Sequence, residues 1–250
     1  MTFIVTFIAL LIERFFDWSH IRNWSWYLKL ETYVTKKMMN QSPYLILALT
    51  ILPILIIVAL MGFLLKGILY GLITLILQLF ILLYCLGPKN LWADHLIMIG
   101  QQNTQPESMG SFFVEANRRV FSVIFWFSIL GPIGALLYRV LTISAQEGTF
   151  APVSQAARQL EVLMDWLPVR IFTFIFALGG HFADVLAIWR KNFKLSLFDN
   201  ESLLIQCGMA ALAHNHPSSK DQSAEKSAIY LLDRVFVIAL VILAILVLLI

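Results

Sequence analysis

Charge is scarce in this sequence. Asp, Glu, Lys and Arg make up 13% of its 250 residues, against about 25% in a soluble domain. Hydrophobic residues make up 60%, and mean hydropathy is +0.81. This excludes an ordinary soluble domain and implies an integral membrane protein. A strong charge of one sign is also missing. The net +3 is small and spread along the chain, which argues against nucleic acid as a partner and fits the basic bias of cytoplasmic membrane loops. Cysteine is limited to Cys85 and Cys207, far apart, so no disulfide framework is expected. No Walker-type loop, GxSxG, HExxH or GxGxxG occurs, and the residues give no catalytic set, metal site or cofactor. The apolar start MTFIVTFIALLI lacks a basic n-region and a small-residue cleavage site, so no removable signal peptide is expected. No internal repeat is visible, and ionisable groups cluster at span boundaries, which argues against a transporter or channel.

Long apolar runs are what the sequence does have. The central one is Val120 to Tyr138, preceded by Glu115-Ala-Asn117-Arg118-Arg119 and closed by Arg139. Its 19 residues match a hydrocarbon core of about 30 Å. Gly131-Pro132 inside it predicts a broken or kinked helix, because proline removes a backbone donor and clashes with the preceding turn.

The remaining chain supplies its neighbours in an all-α, polytopic membrane helical bundle, a single integral membrane domain over 1–250. Residues 1–16 predict a short hydrophobic helix, and 17–42 an amphipathic interfacial segment rich in Trp, Tyr, Lys and Arg, with a helix over 25–40. Spans are expected at 44–65, 68–86, 120–139, 168–189 and 228–250, about five in all. Lys66-Gly67 reads as a tight connection, Gln101 to Gly110 as a loop, and 152–166 as an amphipathic helix. Pro168 is expected to open the fourth span. Five spans put 14 of the 18 Lys and Arg on one side, which the positive-inside rule makes cytoplasmic. Lys66, Arg139, Arg158 and Arg170 fall on the other side, and Ile250 is expected in the periplasm.

Ionisable groups at membrane boundaries are the candidate site residues. Glu115, Asn117, Arg118 and Arg119 read either as a helix-surface ion pair with snorkelling arginines or as a site for an anionic ligand or partner, since Arg grips phosphate and carboxylate in bidentate fashion. Asp165 and Arg170 read as a helix cap and local ion pair, or as functional groups. Arg139 ends the central run. His181 with Asp184 reads as a hydrogen bond to a neighbouring helix, or as a proton relay. His214 and His216 make a poor metal pair; His20 and His95 carry no pattern.

FWFSILGPIGALLYR at 125–139 and MDWLPVRIFTFIFALGGH at 164–181, with Glu13-Arg14-Phe15 after the apolar start, resemble the AmpE proteins of the bacterial inner membrane. These are related to CobD/CbiB, membrane enzymes that join an amine such as aminopropanol phosphate to adenosylcobyric acid. The resemblance implies a multi-span inner-membrane signalling modulator of β-lactamase induction, linked to peptidoglycan recycling and to a muramoyl amidase or cell-wall metabolite, and non-catalytic. The alternative it implies is a CobD/CbiB-like synthase acting on a phosphorylated or activated substrate. The synthases carry an E-N-[TS]-x-D type stretch before the corresponding helix. Here the stretch is Glu115-Ala-Asn117-Arg118-Arg119, with no Asp. An acidic group to hold Mg²⁺ on a phosphate, or to act as base, is missing there.

Overall fold

The computed structural model describes residues 2–15, 22–65, 71–87, 106–192, 199–212 and 222–249. The expectations for His20, Lys66-Gly67, His95, His214, His216 and Ile250 lie outside the described residues. Within them the structure is helical, without strands. The elements are α1 Thr2–Phe15, α2 Ser25–Lys37, α3 Pro43–Leu64, α4 Leu72–Cys85, α5 Pro106–Ala116, a π-helical turn Asn117–Phe121, α6 Ser122–Leu130, α7 Pro132–Glu147, α8 Ala151–Gly179, α9 Phe182–Asn192, α10 Asn200–Leu212 and α11 Gln222–Leu249.

Three of these helices hold segments long and apolar enough to cross a bilayer: Pro43–Leu64, Ala151–Gly179 and Ser227–Leu246. The outward side of α3 shows why lipid is the solvent. Leu52, Ile56 and Phe63 are 52%, 60% and 72% exposed, and so large an apolar surface marks a membrane contact. The helix α4 is apolar but shorter.

The described residues form two compact units. The first joins the helices before Pro88 to Ser122–Met164. The second joins Pro106–Phe121 to the described residues from Asp165 onward. In the first unit, Tyr27, Ile46, Leu82, Phe127 and Tyr138 are among the fully enclosed side chains. In the second, Phe113, Phe172 and Phe176 are fully enclosed. Phe172 stacks on Phe121 with centroids 4.2 Å apart, and Phe113 meets Phe176 edge-on at 5.2 Å.

The central run breaks completely. Gly131 adopts φ +67°, a backbone region that glycine enters without steric cost. Pro132 then starts α7, where its missing N–H costs nothing. The chain folds back so closely that a Cβ on Gly134 would overlap the Trp126 carbonyl oxygen and lie 2.6 Å from Leu130 Cβ. In place of one kinked helix over 120–139, α6 and α7 form a tight hairpin.

Two other boundaries need correction. The fourth span does not open at Pro168. Helix α8 begins at Ala151 and carries Pro168 in its interior, so the amphipathic 152–166 stretch and the apolar stretch after it are one helix. Apolar burial on both sides of the proline outweighs its local cost. Asp165 consequently lies within a helix and does not open it. The loop expected over Gln101 to Gly110 gives way to helix from Pro106, where proline suits the first turn.

The hairpin makes a direct prediction. Gly134→Ala should destabilise the protein by about 1–3 kcal/mol, the usual cost of overpacking. Gly62→Ala, with nothing within 4 Å of its Cβ position, is the control. Thermal unfolding in matched micelles should show a lowered Tm for the first variant only.

Candidate functional site

Three helices of the second unit bring polar groups together. The π-helical turn starts at Asn117, whose side chain is 1% exposed. Such turns widen the helix by one residue and recur at functional sites. Asn117 Nδ2 donates to Asp165 Oδ1 of α8 at 3.2 Å. The carboxylate can only accept, which fixes the amide orientation. Asn117 Oδ1 is then buried with no hydrogen-bond partner. One turn after Asp165, Arg170 Nη1 donates to Trp166 O at 2.9 Å and to Asn200 Oδ1 of α10 at 3.2 Å. Its guanidinium lies 4.3 Å from the centroid of the Trp166 ring, a cation–π contact. Trp189 Nε1 of α9 donates to Arg170 O at 3.1 Å. Asp165, Arg170 and Asn200 are all buried.

A rim of exchangeable ion pairs surrounds these groups. Arg118 Nη2 meets Glu201 Oε1 of α10 at 2.6 Å, and Arg119 Nε meets Glu115 Oε2 at 2.5 Å. Glu201 and Glu115 are 48% and 36% exposed. Their arginines are less open, at 18% and 21%, and water on the acid side weakens each pair. Arginine's planar fork suits phosphate and carboxylate alike.

A family profile described as "Regulatory signalling modulator protein AmpE" matches residues 101–249. The chain belongs to the AmpE family. The AmpE match takes in every residue of this cluster. The chain is also 31% identical over 98 residues to the "Cobalamin biosynthesis protein CobD" of Chromobacterium violaceum and to the protein of the same name from Stutzerimonas stutzeri. Those stretches cover 37% of this chain, and 31% and 32% of the relatives. The chain thus spans about a third of the length of the curated relatives it matches. No solved structure matches it significantly.

The site expectations map onto the structure unevenly. Glu115, Asn117, Arg118 and Arg119 do meet Asp165 and Arg170, through Asn117 and α10. The side assignment that separated them is corrected: residues 3.2 Å apart do not lie across a bilayer from one another. The chain returns between Arg119 and Asp165, because Gly131 reverses it and α8 starts early. Arg139 lies elsewhere, buried on α7 in the first unit. His181 and Asp184 form an i,i+3 pair at 3.0 Å, 37% and 52% exposed. They sit at the break between α8 and α9, not within a span. Asn200, Glu201, Trp166 and Trp189 were missed by sequence reasoning. Asn200-Glu201 carries the one usable signal, a polar residue and an acid opening a helix.

Asp165→Ala should cost about 1–3 kcal/mol, the penalty for leaving the buried Asn117 donor unpaired. Arg119→Ala, at a half-buried pair with water at its acid, should cost less, about 1 kcal/mol. Chemical or thermal unfolding of the two purified variants checks the order.

Proposed function

We propose that this membrane protein is a multi-pass, non-catalytic regulator of the bacterial inner membrane that couples β-lactamase induction to peptidoglycan recycling. Its second-unit cluster receives an anionic cell-wall metabolite or a muramoyl amidase. Membership of the AmpE family supports the signalling class. The buried, unpartnered Asn117 Oδ1 carries the site reading: an acceptor is left open beside arginines whose own carboxylate partners sit at the rim. A ligand with an acidic group and a hydroxyl or amide donor satisfies both. Its acidic group takes the place of Glu201 on Arg118, which detaches α10 from the π-helical turn and gives the signal its mechanical form. The basic, aromatic segment around α2 anchors the protein at the headgroups of the bilayer.

One observation favours a second reading, a CobD-like synthase acting on a phosphorylated or activated substrate. Asp165 stands 3.2 Å from Asn117 and provides the acidic group that the 115–119 stretch lacks.

Arg118→Ala with Arg119→Ala should leave the protein inserted at wild-type level while β-lactamase induction falls and the recycled muropeptide pool changes. Normal induction and an unaltered pool in that double variant would overturn the regulatory reading. A deletion strain that loses cobalamin synthesis instead would support the synthase.

A further inference from the structure

The first unit holds a buried acid that the cluster above does not use. Glu31 on α2 is 1% exposed. Its Oε2 accepts a hydrogen bond from Ser144 Oγ of α7 at 2.7 Å. Ser144 Oγ also lies 2.6 Å from Tyr27 OH. Because the serine proton is directed to Glu31, the tyrosine is the donor in the second bond, and a relay runs Tyr27 to Ser144 to Glu31. The other carboxyl oxygen, Oε1, is buried with no partner, as is Thr35 Oγ1 one turn further along α2.

No cation faces this carboxyl among the described residues that surround it. On α2, Lys29, Lys36, Lys37 and Tyr33 point outward. Helix α3 carries no Asp, Glu, Lys, Arg or His, and its Tyr44 bonds Gln159. On α4, Tyr84 bonds Trp26 and Asn23, and Cys85 is buried. On α7, Glu147 is exposed, and the field of Arg139 acts on Cys85. Arg22 is held by Glu13 and the Gly87 carbonyl. A buried carboxylate without a cation is costly, and such groups take up a proton instead.

We propose that Glu31 is a proton-binding site: the folded protein carries this carboxyl neutral, with the proton on Oε1, and loss of that proton loosens α2 from α7. Oε2 keeps its bond from Ser144 in the neutral form, so protonation leaves the relay intact. Burial is the main cause that raises the Glu31 value, with the Ser144 and Tyr27 hydrogen bonds opposing it. The folded value therefore lies above the unfolded one. The stabilisation is full below the ordinary carboxyl range and is lost as pH rises through the raised value.

Infrared spectroscopy and hydrogen exchange of the full chain in lipid nanodiscs test this. The wild type should show a protonated-carboxyl C=O stretch at neutral pH that is missing in Glu31→Gln and displaced in Ser144→Ala. Exchange over Ser25–Lys37, divided by the intrinsic rate, should rise by about tenfold per pH unit between the ordinary carboxyl range and the raised value, the slope for one proton released on opening, and level off above it. Glu31→Gln should remove that rise. A wild type without the band at neutral pH, a band that persists in Glu31→Gln, or an α2 exchange ratio independent of pH overturns the proposal. Should Glu31→Gln not fold, the wild-type titration and the Ser144→Ala displacement still decide it.

Discussion

A polar atom enclosed by apolar side chains has no water to turn to, and this constraint governs the architecture more tightly than apolar contact does. Between lipid-facing helices there is little hydrophobic drive, since lipid tails are as apolar as leucine. Hydrogen bonds between buried side chains then decide which helices adjoin. In the first unit, Arg22 meets Glu13 of α1 and the Gly87 carbonyl at 2.7 Å, tying the segment before α2 to two distant parts of the chain. Ser144 and Glu31 tie α2 to α7. In the second unit, Asn117 ties the π-helical turn to α8, and Arg170 ties α8 to α10. Each tie joins residues remote in sequence, so each specifies the fold and not merely a local turn.

The second-unit cluster divides by burial into parts with different capacities. Asn117, Asp165, Arg170 and Asn200 are buried, and breaking any of their bonds strands a partner away from water. They hold position. Glu115, Arg118 and Arg119 are half-buried and Glu201 is exposed, so water and ions reach these charges. They can exchange partners. A site that recognises an anion and transmits the event requires both properties side by side: a fixed floor, and a rim whose pairing changes at low cost.

Composition made the helical class and the lipid solvent legible, and the long runs located α3 and α11, because those signals are sums over many residues. The break at Gly131-Pro132 was legible as well, since both residues act through the backbone. Its sharpness was not. Whether a Gly-Pro pair kinks a helix or reverses it depends on whether the returning helix finds a surface, and Gly134 against Trp126 provides that surface. Pro168 misled for the opposite reason. Its preference for a first turn is a local tendency of a few kcal/mol, and burial of the inner face of α8 before and after it exceeded that. Glu115, Asn117, Arg118, Arg119, Asp165 and Arg170 were legible as unusual groups near apolar runs. Their meeting was not, because it rests on chain reversal and on Asn200 and Glu201 from a helix with no motif of its own.

The π-helical turn explains why adjacent residues in this stretch take different roles. In a regular α-helix, Arg118 and Arg119 have the same acid, Glu115, within reach at three and four positions. With the helix widened from Asn117 onward, only Arg119 keeps Glu115, and Arg118 reaches Glu201 of α10 instead. The same widening begins at the residue whose amide turns inward to Asp165. One inserted residue therefore separates a buried anchor, a cation that pairs within its own helix and a cation that pairs with a neighbour. The Arg118 pair links two elements and is open on its acid side, which is why the proposed reading places the incoming anion there.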